Sequence, residues 1–362
     1  MSKAEYKRLG DYIREVNVRN RDLKVTNLLG VNLSKQFFPS IANIVGTDLS
    51  KYKIIGKGQF GCKFMSVGRD GILPISLMQD DKPAIISSAY YVFEVKDQKV
   101  LLPEYLMMWL RRPEFDRQLW FYSGGDVRGG VNFDDFCEMP IVIPPITRQR
   151  EIVSEYETLT NRIRLNNKMI QHLEATAQAL YRKMFVEPVE TPQCDVSKLP
   201  EGWRMGTIQE IANVKNGKSI VPTEGNVPVY GGNGIVGYTN ISNANGIVVI
   251  GRVGINCGSL FLHQRECYVN DNSMMAIPND NDLIFLYWTL KQIDLNSQSE
   301  GSGQPLLTQS IIYNQECVIP DITLRAEFND QGQIIYRNKV LMEQENEKLI
   351  ELQSLLLAKM GQ

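Results

Sequence analysis

Histidine is scarce in this sequence, which contains only His172 and His263 among 362 residues. Most nucleophilic triads and many zinc sites depend on histidine, so two isolated histidines give no basis for either. The (N/D)PP(Y/F) motif of adenine methyltransferases is also missing, because the Pro144-Pro145 pair lies in the context IPPIT. We therefore expect no catalytic residue and no metal ligand in this chain.

Paired cysteines and long apolar runs are missing as well. The six cysteines are scattered, without the spacing of a zinc knuckle or a redox motif. No run of about 18 apolar residues occurs, and the N-terminal MSKAEYKRLGDYI is charged, so neither a membrane span nor an export signal is predicted. We expect a reduced, cytoplasmic setting without membrane contact.

A strong excess of positive charge is the third absence, since the net charge is −2. Residues 1–150 carry 22 Lys/Arg and 17 Asp/Glu, a balance of +5, and the remainder carries 17 and 24, a balance of −7. Such a chain is not a strong polyanion binder by itself. Any binding of nucleic acid must therefore use local positive charge or charge supplied by a partner.

The main positive feature is an internal repeat. When the sequence is shifted by about 176 positions, the ends of its two halves align without a gap: Ile143-Pro144 falls on Ile319-Pro320, and Lys183-Met184 falls on Lys359-Met360. Each matched stretch begins as an extended segment and continues into a long helix, whereas the regions upstream match only weakly. The sequence therefore predicts two equivalent helices and two different globular parts.

The first long helix is predicted to begin near Thr147, a candidate N-cap, and to end at Glu187-Pro188. Its apolar positions recur in steps of four and three, which is the spacing of a coiled-coil seam. One polar residue, Asn166, occupies a seam position, where a lone Asn commonly fixes register at some cost in stability. The predicted seam comprises Ile152, Tyr156, Leu159, Ile163, Asn166, Ile170, Leu173, Ala177, Leu180 and Met184.

The second long helix is predicted to begin near Thr323. Its seam is predicted at Ile335, Met342, Leu349, Leu352 and Leu356. Each helix has about 35 residues and is roughly 50 Å long. Because the helices are repeats of each other, we favour antiparallel pairing within one chain, and a homodimeric coiled coil is the alternative.

Two glycine patterns resemble nucleotide sites without the context that such sites need. Gly56–Gly61 (GKGQFG) has the spacing of a kinase loop, but no His-Arg-Asp or Asp-Phe-Gly motif accompanies it. Gly232–Gly237 (GNGIVG) follows a strand-like VPVY, but loop residues follow it where a dinucleotide site requires a helix. Because the context that such sites need is missing, neither pattern supports a nucleotide-dependent enzyme.

The second half alternates strand-like segments with polar glycine turns, in VPVYGGNGIVGY, IVVIGRVGINCGSLF and YVNDNSMMAI. Glycines let the backbone approach a ligand closely, and such turns display side chains that can contact base edges or phosphates. Ordinary hairpin-turn chemistry explains any single asparagine equally well. The candidate DNA contacts here are Lys215, Lys218, Tyr230, Asn233, Tyr238, Arg252, Asn256, Ser259 and Asn272, with Lys215, Lys218 and Arg252 expected to neutralise phosphates.

The first half offers a different set, in which basic residues alternate with strand-like and aromatic residues near loops. This composition suits a nucleic-acid surface, and a solvated strand face is the alternative for its lysines. The candidate contacts are Lys57, Gln59, Lys63, Arg69, Ser88, Tyr90, Arg128 and Asn132.

Together these segments resemble the specificity subunits of type I restriction–modification systems, over nearly the whole chain. The resemblance depends on VPVYGGNGIVGY, IGRVGINCGS and VNDNSM in the second half, and on VGRDG, ISSAYYVF, LPEYLMMWL and the GGDVR loop in the first. The helix starts IPPITRQREI and IPDITLRAEF complete it.

The resemblance implies a mixed α/β fold with an internal pseudo-two-fold repeat. Two target recognition domains would each read one block of double-stranded DNA, joined by helices that pair as an antiparallel coiled coil and set the gap between the blocks. The implied segments are a first recognition domain at 1–146, a spacer helix at 147–187, a linker at 188–202, a second recognition domain at 203–321 and a second spacer helix at 322–362.

The resemblance also implies partners and cofactors. The chain itself would bind no cofactor, and it would recruit two modification subunits that methylate adenine with S-adenosylmethionine and restriction subunits that use ATP and Mg. The candidate partner contacts on the helices are Arg148, Arg150, Arg162, Arg164, Arg325 and Arg337. The main alternative is a coiled-coil scaffold whose globular parts bind protein.

Overall fold

The structure is a computed structural model that describes residues 5–40, 46–122, 131–190, 199–300 and 305–361. The chain divides into two compact units, one of Met1–Leu165 with Glu345–Gln362 and the other of Asn166–Gln344. Both divisions fall inside long helices, so each unit contains part of both helices. The boundaries predicted from the sequence lie between the long helices and the globular parts, and not inside the helices. Those boundaries stay a prediction.

The first unit combines small antiparallel sheets with short helices. Its strands are β1 (Tyr6–Arg8), β2 (Ile13–Glu15), β3 (Leu29–Val31), β4 (Phe37–Pro39), β5 (Lys53–Ile55), β6 (Gln59–Cys62), β7 (Ile75–Leu77), β8 (Ala84–Ile86), β9 (Tyr91–Val95) and β10 (Pro140–Val142). Its short helices are α1 (Val67–Asp70), α2 (Pro103–Arg111), α3 (Pro113–Tyr122) and α4 (Phe133–Cys137). The largest sheet has the order β2-β9-β6-β7, and the other strands pair as β1-β10, β3-β4 and β5-β8.

Aromatic packing holds the largest sheet of the first unit to its helices. Phe60 on β6 and Phe93 on β9 are register partners whose stacked rings lie 4.8 Å apart. Phe136 of α4 packs on this pair, with its ring 5.3 Å from that of Phe93. Helix α2 starts at Pro103, a favourable first residue because its missing N–H would have no helical partner, and it buries Trp109 in the same core.

The first long helix starts one residue before its predicted N-cap. It comprises α5 (Ile146–Tyr181), a π-helical turn (Arg182–Val186) and α6 (Glu187–Glu190). Gln149 in its first turn is fully buried, and its amide donates hydrogen bonds of 2.8 Å to the carbonyl oxygens of Val100 and Pro144. These bonds satisfy a polar group that would be costly to bury unpaired, and they fix the helix start to the first unit.

The second unit is built around a six-stranded sheet. Its strands are β11 (Arg204–Thr207), β12 (Ala212–Asn216), β13 (Val227–Gly231), β14 (Gly234–Thr239), β15 (Ala244–Gly251), β16 (Leu260–Val269), β17 (Ser273–Pro278) and β18 (Glu316–Ile319), and its short helices are α7 (Ile208–Ile211), α8 (Leu283–Gln292) and α9 (Gln309–Tyr313). The sheet has the order β12-β17-β15-β16-β13-β14, and β11 pairs with β18.

Burial on both faces explains the apolar run in β15. Val248 and Ile250 face a core that includes α8, whereas Ile247 and Val249 face a second, smaller core with Tyr230. A strand covered on both sides has no need of alternating polar residues. The GNGIVG segment forms the tight β13–β14 hairpin, with Gly234 at a φ of 97°, so no helix follows the glycines and the dinucleotide interpretation is excluded.

The second long helix, α10 (Ile322–Lys359), runs antiparallel to α5. In the first unit, Arg162 of α5 pairs with Glu345 at 2.9 Å, and Thr160 accepts a 2.7 Å hydrogen bond from the Gln353 amide. Residues earlier in α5 therefore contact residues later in α10, as antiparallel pairing requires. The pairing predicted within one chain is confirmed.

The part of the helix pair in the second unit follows the same antiparallel order. Lys339 pairs with Glu174 at 2.5 Å, and the rings of Phe328 and Tyr181 lie 5.7 Å apart. None of the helices in the described residues is both long enough and apolar enough to cross a membrane.

The ten positions predicted for the α5 seam share one face of the helix. All ten predicted positions are buried or half-buried, and the intervening positions are mostly exposed. Asn166 is 4% exposed, as its seam position requires. On α10 the predicted positions Ile335, Met342, Leu349 and Leu356 are also half-buried.

One seam position on α10 is wrong. Leu352 is 48% exposed, and the neighbouring Gln353 faces α5 instead. The physical reason is the hydrogen bond from Gln353 to Thr160, which lets a polar residue take the inward position. The buried residues of this helix also include four that the predicted seam lacks: Phe328, Tyr336, Asn346 and Leu357.

Candidate nucleic-acid interface

Three polar turns of the second unit meet at one place. They are the β13–β14 turn at residues 232–233, the loop at residues 252–259 between β15 and β16, and the turn at residues 270–272 before β17. The Arg252 N–H donates to the Asn272 carbonyl at 3.0 Å, and the Ser259 hydroxyl donates to the Gly232 carbonyl at 2.6 Å. The fold therefore brings together Asn233, Arg252, Asn256, Ser259 and Asn272, which we call the turn cluster.

Close backbone approach explains the glycines of the turn cluster. A Cβ on Gly251 would lie 2.4 Å from the Ser259 hydroxyl, and one on Gly258 would lie 2.5 Å from the Asn296 nitrogen. Gly258 also has a φ of 84°, which side chains other than glycine rarely adopt. The loop therefore packs too tightly for larger residues at these positions.

The members of the turn cluster differ in how free their side chains are. Asn233 and Asn272 are exposed, whereas Asn256 and Ser259 are half-buried, and the Ser259 hydroxyl is already used within the cluster. Arg252 is half-buried and makes no ion pair with any residue that the structure describes. Its Nε is buried and has no hydrogen-bond partner among the described residues.

Residues 305–307, which are remote in the sequence, are hydrogen-bonded to the loop at residues 252–259. The Leu307 N–H donates to the Arg252 carbonyl at 2.9 Å, and the Gly254 N–H donates to the Pro305 carbonyl at 3.0 Å. Nothing in the local pattern signals this contact, because it joins residues about 50 positions apart. It holds the carbonyl of Arg252, whereas Asn272 holds its N–H.

The two predicted tyrosines of the second unit have different environments. Tyr230 was expected on a displayed turn, and this is corrected: its side chain is only 8% exposed and belongs to the smaller core. Its hydroxyl forms a 3.1 Å hydrogen bond with His263 Nδ1, and burial raises the pKa of Tyr230 to about 12. Tyr238 is 49% exposed on β14 and remains a candidate contact.

The two predicted lysines of the second unit are exposed. Lys218 lies beside the turn cluster, because its N–H donates to the Val269 carbonyl at 3.0 Å. Lys215 lies on β12 opposite Met275 of β17. Neither lysine forms an ion pair with a described residue, so both charges can face a ligand.

The candidates of the first unit are divided between the two ends of β6. At its start, Lys57 pairs with Asp81 at 2.7 Å, and this hydrogen-bonded partner raises the pKa of Lys57. Gln59 is held by Glu94 at 3.0 Å and by the Gly56 N–H at 2.9 Å. A ligand at this end would have to replace existing partners.

At the other end of β6, Lys63 stacks over the Tyr90 ring at 5.9 Å from its centroid. Arg69 is exposed and forms two 2.8 Å hydrogen bonds with the Asp70 carboxylate. Ser88 is exposed on the same connection as Tyr90. Lys63 and Tyr90 are therefore brought together, whereas Lys57 and Gln59 are not beside them.

Two further candidates of the first half have separate outcomes. Asn132 is the N-cap of α4, where its side chain accepts from the Asp135 N–H at 2.9 Å and its own N–H donates to the Asp135 carboxylate at 3.1 Å, as in a capping box. This role accounts for Asn132 without a ligand. Arg128 lies outside the described residues.

The arginines predicted to face partner subunits are only partly available. Arg325 is corrected: it is 7% exposed and bound to the carboxylates of Asp282 and Asp280, 43 and 45 positions upstream. Arg148 pairs with Glu151, and Arg162 pairs with Glu345. Arg150, Arg164 and Arg337 are exposed and form no ion pair with a described residue.

Similarity to known proteins adds to this geometry. The family described as type I restriction modification DNA specificity domain matches residues 75–175 and 200–352. A curated relative, the type I restriction enzyme HindI specificity subunit of Haemophilus influenzae, is 21% identical in an alignment that covers 97% of each protein.

Two solved structures share the fold. The S subunit of a type I restriction–modification system from M. genitalium has a TM-score of 0.65 at 15% identity, covering 99% of this chain and 97% of that one. A chain from a study of complex assembly and conformational transition of the type I R-M system has a TM-score of 0.50 at 19% identity, covering 100% and 98%. At such identities the likeness concerns architecture and not the DNA sequence that is read.

Proposed function

The chain belongs to the type I restriction–modification DNA specificity family, and on that premise we propose that it directs a methyltransferase complex to a two-part DNA target. One globular part reads one block of bases and the other part reads the second block, with a gap of unspecified bases between them. The helix pair α5 and α10 serves as the spacer. The chain contributes recognition and no catalytic step.

The turn cluster is the observation that carries this proposal. Base edges are read by amide, guanidinium and hydroxyl groups, and phosphates are held by positive charge. The second unit collects Asn233, Arg252 and Asn272 in turns that are fixed by hydrogen bonds, and it places Lys218 beside them. Arg252 is half-buried and forms no ion pair with a described residue, so its charge can be used for a phosphate.

The partners follow from the same premise. We assign to the complex two modification subunits, which methylate adenine with S-adenosylmethionine, and restriction subunits that use ATP and Mg. The charge of the chain supports a need for them: residues 200–320 carry six Lys/Arg and ten Asp/Glu. Modification subunits that surround the duplex would supply the missing phosphate neutralisation. We place the complex in the cytoplasm.

The test is a methylome. The full chain is expressed with its methyltransferase partner in cells that have no other adenine methylation, and the genome is read by long-read sequencing. The expected result is a two-block, gapped motif with methyladenine, which disappears when this chain is deleted. A matched strain that carries the partner alone is the control.

A scaffold that binds protein through its globular parts predicts a different outcome. The methyltransferase would then be soluble and bound to this chain, and no sequence motif would be methylated. That result would overturn the proposed function and leave the helix pair as the site of assembly.

A further inference from the structure

Ile255 is the most exposed large hydrophobic side chain in the described part of the chain, at 90%. It lies in a 3-10 turn, Gly254–Asn256, inside the loop that contributes Arg252 and Asn256 to the turn cluster. A single exposed apolar residue needs no special explanation by itself. The exposure of Ile255 matters because the same loop carries polar residues of the turn cluster.

The loop holds Ile255 in a fixed position. Gly254 precedes it with a φ of 75° and donates to the Pro305 carbonyl, and the Cys257 N–H closes the turn onto the Gly254 carbonyl at 3.0 Å. Cys257 is 1% exposed, and its carbonyl accepts a 2.6 Å hydrogen bond from the Asn296 amide. The exposure of Ile255 is therefore imposed by anchored neighbours on both sides.

Polar residues of the turn cluster flank this apolar side chain in the sequence, and one of them is bonded to a second turn of the cluster. Arg252 lies three residues before it, Asn256 follows it, and the backbone bond from Arg252 to Asn272 joins the next turn to the same loop. Hydrogen-bonding groups distinguish bases by their donors and acceptors, whereas the 5-methyl group of thymine is distinguished by apolar contact. A reading surface that contains both kinds of group can do both.

We propose that Ile255 makes an apolar contact with the 5-methyl group of a thymine and so sets the preference at one position of the block read by the second unit. The inference depends on the proposed function and adds a specificity-determining residue to it. Because the loop is already anchored, the contact requires no rearrangement of its backbone.

The test uses the full chain in complex with its methyltransferase partner, on a plasmid library in which every position of both blocks is varied. The variants are Ile255→Ala and, as the conservative change, Ile255→Val. The control is Val100→Ala, which truncates an exposed β-branched residue of the first unit that belongs to no candidate set. Methylation of each library member is read by long-read sequencing.

We expect Ile255→Ala to lose about fivefold or more of the preference at one A·T position, because the apolar contact that distinguishes the thymine methyl group is removed. Ile255→Val should keep most of the preference, and Val100→Ala should keep all of it. Replacing that thymine by deoxyuridine in an oligonucleotide duplex should weaken binding by the wild-type complex and leave the Ile255→Ala complex unaffected.

Three results would overturn the inference. They are an unchanged motif in Ile255→Ala, an equal loss of methylation at every sequence, and a wild-type complex that binds deoxyuridine and thymidine duplexes equally. Failure of the proposed function is seen separately, because it would leave the wild-type complex without any motif. Thermal melting of the variants controls for folding, and it should not change because the side chain makes no core contact.

Discussion

Lys35 and Asp116 form a buried ion pair in the first unit, with the Lys35 Nζ 2.7 Å from the carboxylate oxygen. The Leu73 N–H donates to the other oxygen of Asp116 at 3.2 Å, and Lys35 also donates to the Leu110 carbonyl. Burial lowers the pKa of Lys35 and raises the pKa of Asp116, and each charge offsets part of the shift of the other. Neither charge is therefore tolerable there without its partner.

Lys35→Met should destabilise the first unit by about 3–5 kcal/mol, because it leaves a buried carboxylate unpaired. The measurement is urea unfolding followed by tryptophan fluorescence. Lys57→Met is the control, since it breaks an ion pair of the same 2.7 Å length that is exposed to solvent, and it should change stability little. Equal effects of the two substitutions would contradict the argument that burial decides the cost.

The register of α10 makes a second prediction. Leu357 is 9% exposed and packs in the core of the first unit, whereas Leu352 is 48% exposed. Leu357→Ala should cost about 2–5 kcal/mol, as truncation of a buried leucine does, and Leu352→Ala should cost about 0.5 kcal/mol or less. Unfolding of the isolated chain in urea checks both values. The opposite order would support the register that the sequence alone predicts.

The sequence predicted the long helices well because the information is local. Steps of three and four along α5 identify one face, and any partner must cover that face. The failure at Leu352 shows the limit of this reasoning. A leucine and a glutamine compete for neighbouring positions, and the outcome depends on Thr160, almost 200 residues earlier in the chain.

The candidate site was predictable as a set of turns and not as individual contacts. Glycine-rich turns can be recognised in the sequence, but the burial of single residues within them cannot. Tyr230 and Tyr238 lie in the same twelve-residue segment, yet Tyr230 is buried and Tyr238 is exposed. The β13–β14 pairing shifts register between Val229 and Tyr230, and that irregularity is invisible in the sequence. Arg325 was misassigned for a related reason, because its acidic partners are remote in the chain.

Acid should weaken the second unit through His263. Its Nδ1 bonds the Tyr230 hydroxyl at 3.1 Å, its Nε2 lies 3.2 Å from the Glu266 carbonyl, and burial lowers the pKa of the imidazole below its usual 6.5. The unfolded chain therefore binds more protons just below pH 6.5, so stability is complete above that pH and is lost as the pH falls towards the folded-state pKa.

The measurement for His263 is urea unfolding at pH 7.5 and pH 5.5. His263→Asn removes the titrating group, so its stability should fall less between the two pH values than that of the wild type. Parallel pH profiles for the two proteins would show that another group causes the acid sensitivity.

Phosphate neutralisation by the second unit should depend on Arg252, Lys215 and Lys218, which make no ion pair with described residues. Replacing each by alanine in the assembled methyltransferase complex should weaken DNA binding about equally for all sequences and reduce the slope of log affinity against log salt by about one. Arg265→Ala is the control, because Arg265 is an exposed arginine of the same unit outside the candidate set.

Arg252 gives the sharpest test of the turn cluster, because its backbone N–H and carbonyl are bonded to Asn272 and Leu307 and its Nε lacks a partner in the described part of the chain. If Arg252→Ala leaves both affinity and specificity unchanged, the turn cluster does not bind DNA through its one arginine. If it relaxes one base position without changing the salt slope, Arg252 contacts a base edge and not a phosphate.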